Sequence, residues 1–164
     1  MTPRQKDEDW DNRKAFPDCE AWYERCRERS LAFSRSVDFQ MDRAYGPNPR
    51  NRIDVLPGKP DLPTLFHIHG GYWQWNNRED YLCVGEAVHR IGLNTAFVEH
   101  TLAPDATMNE IVAEVKAGLS WFRIHRHEFG IENDDVVVSG HSSGGQLAAM
   151  CQGESGVVGT LLIS

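Results

Sequence analysis

The segment VVVSGHSSGGQLAAM, residues 136–150, is the most informative part of this sequence about its fold. Its three valines predict a buried strand, and the small and apolar residues after Ser142 predict the start of a helix. Residues 140–144 between them have the pattern G-x-S-x-G, whose glycines remove side chains that would collide in a sharp turn. Ser142 then stands at a helix N-terminus, where backbone N–H groups favour negative charge. The segment therefore predicts a nucleophilic serine; the alternative is a glycine-rich turn whose serine has no role.

Outward from this segment, strands alternate with segments that have helical periodicity. We predict six strands, at residues 37–44, 52–56, 64–69, 94–99, 135–139 and 157–163. Thr107 and Glu110 form a capping-box pattern that opens a helix, and Gly130 closes it. Strands that alternate with helices predict an α/β fold, with a mainly parallel sheet and helices on both faces. The turn signal GPNP, residues 46–49, predicts that the first two strands form an antiparallel hairpin.

Further expectations concern the domain bounds and the remaining elements. Residues 1–17 are expected to be a flexible arm, and residues 18–164 one α/β domain. From Asp18 a charged segment predicts a helix, with Trp22, Cys26 and Ser30–Leu31 near one face. Residues 78–92 predict another helix, and residues 156–164 begin a further buried strand.

Composition excludes several classes of protein. The chain has 164 residues, a length that suits about one domain. Its 17 basic and 24 acidic side chains give a net charge of -7, which argues against a nucleic-acid surface. No apolar run reaches the ~18 residues of a membrane span, and the N-terminus is charged where a signal peptide would be apolar. Its four cysteines form no C-x-x-C pair, which is typical of free thiols in a reducing compartment. We therefore expect a cytoplasmic protein without a membrane or nucleic-acid partner.

A second glycine motif, HGGYW, follows the third predicted strand. Consecutive glycines can turn backbone N–H groups toward one point, and such donors stabilise the oxyanion of acyl transfer by about 3–4 kcal/mol each. We expect the oxyanion hole to consist of Gly70, Gly71, Tyr72 and Ser143. Ser143 is not the nucleophile, because a motif centred on it would need glycine at position 141. The residues that support the two motifs are His69, Trp73, Gly140, His141 and Gly144.

Other side chains near these motifs allow further roles. Tyr72, Trp75 and His100 are candidates for lining a substrate cleft, whereas Trp73 suits either the cleft or the core. His100 follows a strand at the sheet edge where Ser142 is also expected, so it is a candidate catalytic base as well. His67 and His69 alternate as H-x-H, but no further ligand follows them, so we expect no metal and no cofactor.

Three segments, HIHGGYWQ, LAPDATMNEIVAEV (102–115) and GHSSGGQLAAM (140–150), resemble the α/β-hydrolase branch that contains kynurenine formamidases and related bacterial esterases. The resemblance covers roughly residues 37–164 and centres on an H-G-G-x-W loop. It implies a serine hydrolase that cleaves an aryl formamide or a short-acyl ester, with Ser142 as the nucleophile. Where the branch has a tyrosine before the LAP segment, this chain has His100.

The resemblance also implies what the chain lacks. In α/β-hydrolases the catalytic acid follows the seventh strand and the histidine comes later, whereas six strands are predicted here. We therefore expect the N-terminal portion of such a domain, with the acid and histidine beyond residue 164. Two alternatives are a general carboxylesterase or lipase-like enzyme, and a truncated fragment that acts as an interaction module. An unpaired apolar edge at residues 157–163 would favour a homo-oligomer.

Overall fold

A computed structural model describes residues 17–164, so the predicted arm lies outside the described residues except for Pro17. One mixed sheet contains the six predicted strands, which are β1 Gln40–Ala44, β2 Arg52–Leu56, β3 Thr64–Ile68, β4 Asn94–Val98, β5 Val136–His141 and β6 Val157–Ile163. The α-helices are α1 Cys19–Ser36, α2 Gly85–Arg90, α3 Met108–His125 and α4 Ser143–Met150. Two 3-10 helices, Arg78–Val84 and Arg126–Phe129, complete the described elements. The predicted helix at 78–92 is thus a 3-10 helix followed by the short α2.

The strand order is β1-β2-β4-β3-β5-β6. Strand β1 pairs antiparallel with β2, as the hairpin signal predicts. Strand β2 also pairs antiparallel with β4. Strands β4, β3, β5 and β6 are parallel. Because parallel strands end at the same edge of a sheet, the loops after β3 and β5 lie side by side, with Ile68 opposite Gly140. This pairing brings the two glycine motifs together.

The core lies between the sheet and α3. The apolar residues of α3 recur every three or four positions, and Ile111, Val115, Leu119 and Phe122 are all buried, as predicted. The capping box of α3 is also confirmed, because the Glu110 N–H donates to Thr107 Oγ1 and the Thr107 N–H donates to Glu110 Oε2. In the part of the chain that is described, no helix is long and apolar enough to cross a membrane.

The predicted first strand is too long. Val37 to Phe39 lie outside β1, and Met41, expected on the buried face, is 40% exposed. The cause is a bulge at Asp42, whose φ is 58° and whose backbone N–H donates to Oδ1 of the buried Asp54 at 2.6 Å. Asp54 in turn pairs with Arg78 at 2.9 Å. The bulge breaks the two-residue alternation on which the prediction relied.

The predicted face of α1 is correct only in part. Ser30 is buried, as is Phe33, whereas Trp22 and Leu31 are about half exposed, at 47% and 52%. Ser30 sets this orientation, because its hydroxyl donates to the Asp80 carbonyl at 2.9 Å and accepts from the Cys83 N–H at 3.1 Å. This polar contact with the 3-10 helix turns the side of α1 that contains Ser30 toward the domain and leaves Trp22 half exposed.

Strand β6 is not buried as expected. It pairs with β5, and its other edge has no strand partner within residues 17–164. Its exposed apolar side chains are Val158, Leu161, Leu162 and Ile163. Self-association through this strand stays a prediction.

Candidate active site

Ser142 forms a sharp turn between β5 and α4. Its φ of 56° and ψ of -122° are unusual for a residue with a side chain, and such backbone angles cost about 1–3 kcal/mol. Two backbone bonds hold the turn: the Ser142 N–H donates to Ile163 O at 2.7 Å, and the Ser142 carbonyl accepts from the Gly145 N–H at 2.9 Å. The side chain is exposed, and no side chain among residues 17–164 is hydrogen-bonded to Ser142 Oγ.

The glycines on both sides of Ser142 are sterically required. A Cβ on Gly140 would overlap the carbonyl oxygen of Gly144, and a Cβ on Gly144 would overlap the carbonyl oxygens of Ile68 and His69. Strand β5, helix α4 and the end of β3 therefore meet with no space for side chains. This close approach is what the G-x-S-x-G pattern predicts.

The loop of residues 69–76, the glycine loop, lies against this turn. A Cβ built on Gly70 would be 2.5 Å from the His141 oxygen and 3.3 Å from Ser142 Cβ. Gly71 has a φ of 127°, and the Trp73 N–H donates to Ser143 Oγ at 3.4 Å. In the described chain, neither the Gly70 N–H nor the Ser143 N–H donates to another protein group. The structure thus brings Gly70 and Ser143, two of the four predicted oxyanion donors, next to the predicted nucleophile.

His69 anchors the glycine loop from inside the domain. Its Nε2 is 2.8 Å from Glu99 Oε1, and its Nδ1 is 2.9 Å from the Gly70 oxygen. Burial by itself raises the pKa of the Glu99 carboxyl. The opposite effects of His69, the Arg50 charge and the Arg78 N–H are larger, so that the pKa is lowered from its usual value to about 2. Because an ionised carboxylate can only accept, His69 Nε2 is the donor to Glu99, and this bond fixes the orientation of the ring.

Sequence reasoning missed Glu99, although a charged residue at the end of an apolar strand was a signal. Glu99 is 2% exposed and accepts hydrogen bonds from four groups. The donors are His69 Nε2, Arg50 Nη2 and the backbone N–H groups of Arg78 and His100. A buried carboxylate satisfied in this way fixes its neighbours in place.

His100 is not at the surface, contrary to the expectation that it lines a cleft. It is 1% exposed, its ring stacks on His69 with centroids 4.6 Å apart, and its Nδ1 is 2.9 Å from the Thr101 oxygen. Burial, together with the nearby His69, lowers the pKa of His100 to about 4. We therefore leave His100 out of the proposed cleft and out of the proposed catalytic groups.

His67 and His69 bond to separate protein partners. His67 Nδ1 is 2.9 Å from Ser139 Oγ, whereas His69 bonds to Glu99 and Gly70. Burial, with smaller effects of His69 and His141, lowers the pKa of His67 to about 3. The H-x-H pair therefore serves packing and loop anchoring in this structure.

These buried histidines predict a loss of stability in acid. His67 and His100 stay neutral in the folded state, whereas their usual pKa of 6.5 lets the unfolded chain bind protons below that pH. We expect each to lower the free energy of unfolding by about 2 kcal/mol between pH 7 and pH 5. Urea unfolding of a His67→Gln variant at both pH values should show a correspondingly smaller decrease.

The control for this prediction is His127→Gln, since His127 is exposed and pairs with Glu132 at 3.2 Å. It should lose as much stability in acid as the unaltered protein. The same decrease in the His67→Gln variant would contradict the prediction.

The aromatic residues of the loop separate into two groups. Tyr72 and Trp75 are 45% and 46% exposed and pack edge to face, with ring centroids 5.6 Å apart. Trp73 packs against the core instead, and its Nε1 donates to Gln146 Oε1 at 3.2 Å. A depression of about 450 Å³ beside Ser142 is lined by Trp73, Ser143, Gly145, Gln146, Ala149, Leu162, Ile163 and Ser164.

The profile of the BD-FAE family matches residues 56–157, which include the glycine loop and the turn at Ser142. The chain belongs to the BD-FAE family. A kynurenine formamidase from Danio rerio is 31% identical over 127 residues, which are 75% of this chain and 41% of the formamidase. Esterase LipQ from Mycobacterium tuberculosis is 26% identical over 117 residues, 66% of this chain and 28% of the esterase. The chain thus spans less than half the length of these two relatives.

Comparison with solved structures gives the same fold. A crystal structure from Silicibacter sp. superposes with a TM-score of 0.78 at 19% identity, covering 91% of this chain and 56% of that one. The α/β-hydrolase fold is therefore confirmed for this BD-FAE chain, as is the resemblance to the formamidase and esterase branch.

Proposed function

We propose that the protein containing this chain is a serine hydrolase that cleaves an aryl formamide or a short-acyl ester through an acyl-enzyme on Ser142. The observation that carries the proposal is the contact between the glycine loop and the turn at Ser142. In support of the proposal, Gly70 and Ser143 both adjoin the exposed serine, and neither of their N–H groups donates to another group among residues 17–164. Such donors stabilise the negative oxygen that forms when a serine attacks a carbonyl.

The proposed reaction follows the serine hydrolase template. Ser142 Oγ attacks the formyl or acyl carbon, a histidine base takes its proton, and the glycine loop with Ser143 holds the oxyanion. The bond to the amine or alcohol then breaks, and the leaving group takes the proton. Water attacks the acyl-serine in the same way, releases formate or a carboxylate, and restores the Ser142 hydroxyl.

The substrate class is proposed from two sources. The exposed pair Tyr72 and Trp75 suits a flat aryl group, and the relative from Danio rerio carries the name kynurenine formamidase. The second candidate is a general carboxylesterase, which the relative named Esterase LipQ favours. A non-catalytic interaction module is the third. A cytoplasmic location and a homo-oligomer stay predictions.

Hydrolysis assays on the full-length protein test the proposal. We expect turnover of an N-formyl aniline and of a short p-nitrophenyl ester, with both rates abolished by one equivalent of a fluorophosphonate. Mass spectrometry should place the adduct on the peptide that contains Ser142. Absence of any turnover or adduct would favour the interaction module.

Trp75 offers a test of the aryl preference. A Trp75→Ala variant should lose about tenfold in kcat/KM for the aryl formamide but less than twofold for ethyl acetate, because an aromatic contact is worth up to about 1.5 kcal/mol. Trp22→Ala is the matched control, since Trp22 is similarly exposed but lies on α1. Equal losses on both substrates would assign Trp75 a structural role.

A further inference from the structure

We infer that Asn76 and Glu99 are positioning residues that hold the Gly70–Gly71 peptide in the orientation needed for an oxyanion hole; this inference rests on the proposed serine hydrolase function. Neither side chain is near enough to the turn to be hydrogen-bonded to Ser142. Both act on the carbonyl of Gly70, Asn76 directly and Glu99 through His69.

The Gly70 carbonyl is held by two donors. His69 Nδ1 approaches it at 2.9 Å and Asn76 Nδ2 at 3.1 Å. In a trans peptide the C=O and the following N–H point in opposite directions. Two donors on the Gly70 oxygen therefore turn the Gly71 N–H to the opposite side of the peptide. Gly70 itself packs on His141 and Ser142, so the peptide whose orientation is fixed in this way adjoins the proposed nucleophile.

Asn76 is suited to this role by its backbone and by its second contact. Its φ is 72°, a left-handed conformation that asparagine tolerates better than most residues. The other hydrogen bond of its amide goes to the Tyr81 hydroxyl at 3.0 Å, and Tyr81 is buried. The amide is thus fixed between a buried phenol and the glycine loop.

Glu99 fixes the other donor. Its Oε1 accepts from His69 Nε2, and its contact with Arg50 Nη2 at 2.8 Å compensates the buried charge. With a carboxylate on Nε2, His69 is held with Nδ1 toward the Gly70 oxygen. A Glu99→Gln variant keeps the size of the side chain but removes the carboxylate, which allows the His69 ring to turn.

Asn76→Gly is the decisive variant, because glycine tolerates a φ of 72° and only the amide is lost. In the full-length protein we expect kcat to fall about 10- to 100-fold, with KM changed less than twofold. The Ki of a trifluoromethyl ketone, which binds as a hemiketal oxyanion, should rise by the same factor. Glu99→Gln should reduce kcat in the same way and to a smaller extent.

One control variant tests the loop without touching the contact with Gly70. Gln74→Ala alters an exposed side chain of the same loop. It should keep kcat and the ketone Ki within twofold of the unaltered protein. A loss in Gln74→Ala as large as in Asn76→Gly, or an unchanged kcat in Asn76→Gly, would overturn the inference.

Failure of the inference and failure of the proposed function are distinguishable. Activity that disappears in Ser142→Ala supports the function whatever Asn76 does. A crystal structure of the Asn76→Gly variant tests the inference without an activity assay. In that structure the Gly70–Gly71 peptide should be rotated away from its present orientation. An unrotated peptide would overturn the inference even in an inactive protein.

Discussion

Ser142→Ala is expected to abolish hydrolysis by the full-length protein, with a loss of at least about a thousandfold in kcat, because alanine offers no oxygen to attack the substrate. Labelling by a fluorophosphonate should disappear as well. The fold should persist, since alanine and serine pay a similar backbone cost at a φ of 56°. Circular dichroism and the melting temperature measure this directly.

Ser143→Ala is the matched control for the nucleophile. Ser143 is buried, and its hydroxyl accepts from the Trp73 N–H, whereas its proposed catalytic group is the backbone N–H that alanine retains. We expect labelling to persist in this variant. Labelling that survives Ser142→Ala and disappears in Ser143→Ala would reverse the assignment of the nucleophile.

Gly144→Ala is expected to destabilise the fold by about 3 kcal/mol or more. Gly144 lies in the first turn of α4, where alanine would ordinarily gain up to about 1 kcal/mol in helix propensity. The new methyl group would instead overlap the carbonyl oxygens of Ile68 and His69 at the end of β3. Backbone atoms cannot move aside as a flexible side chain can, so the packing cost exceeds the gain in propensity.

Urea unfolding measures this difference, with Gly159→Ala as the control. Gly159 lies in β6, and a Cβ there would be 3.9 Å from Val137 Cγ2, an ordinary contact. The control should stay within about 0.5 kcal/mol of the unaltered protein. A Gly144→Ala variant as stable as Gly159→Ala would show that β3 and α4 can separate, and would contradict the close contact between the glycine loop and Ser142.

The sequence was sufficient wherever local pattern and strand direction carry the information. Three valines before G-x-S-x-G identify a strand, a turn and a helix, and the capping box at Thr107 locates the start of α3. Two glycine motifs that follow parallel strands must lie at the same edge of the sheet, so the sequence alone was enough to infer that they are close together. Their catalytic roles stay proposals.

Local pattern was insufficient where a polar contact distant in sequence determines the outcome. The bulge in β1 depends on Asp54 and Arg78, and the orientation of α1 depends on the contact of Ser30 with Asp80. Neither partner is visible in the periodicity of the element it controls. Apolar alternation therefore misplaced Met41 and Trp22.

By itself, the sequence determined the α/β class, the order of its six strands along the chain and the position of a serine between two required glycines. Only the tertiary structure decided how the glycine loop is held, because Glu99 lies 30 residues from His69 along the chain and reaches it only when β4 pairs with β3. Hydrogen bonds between side chains depend on distance in space and not on spacing in sequence. The buried carboxylate, the histidine it orients and the carbonyl they restrain could for that reason be recognised only after folding had brought them together.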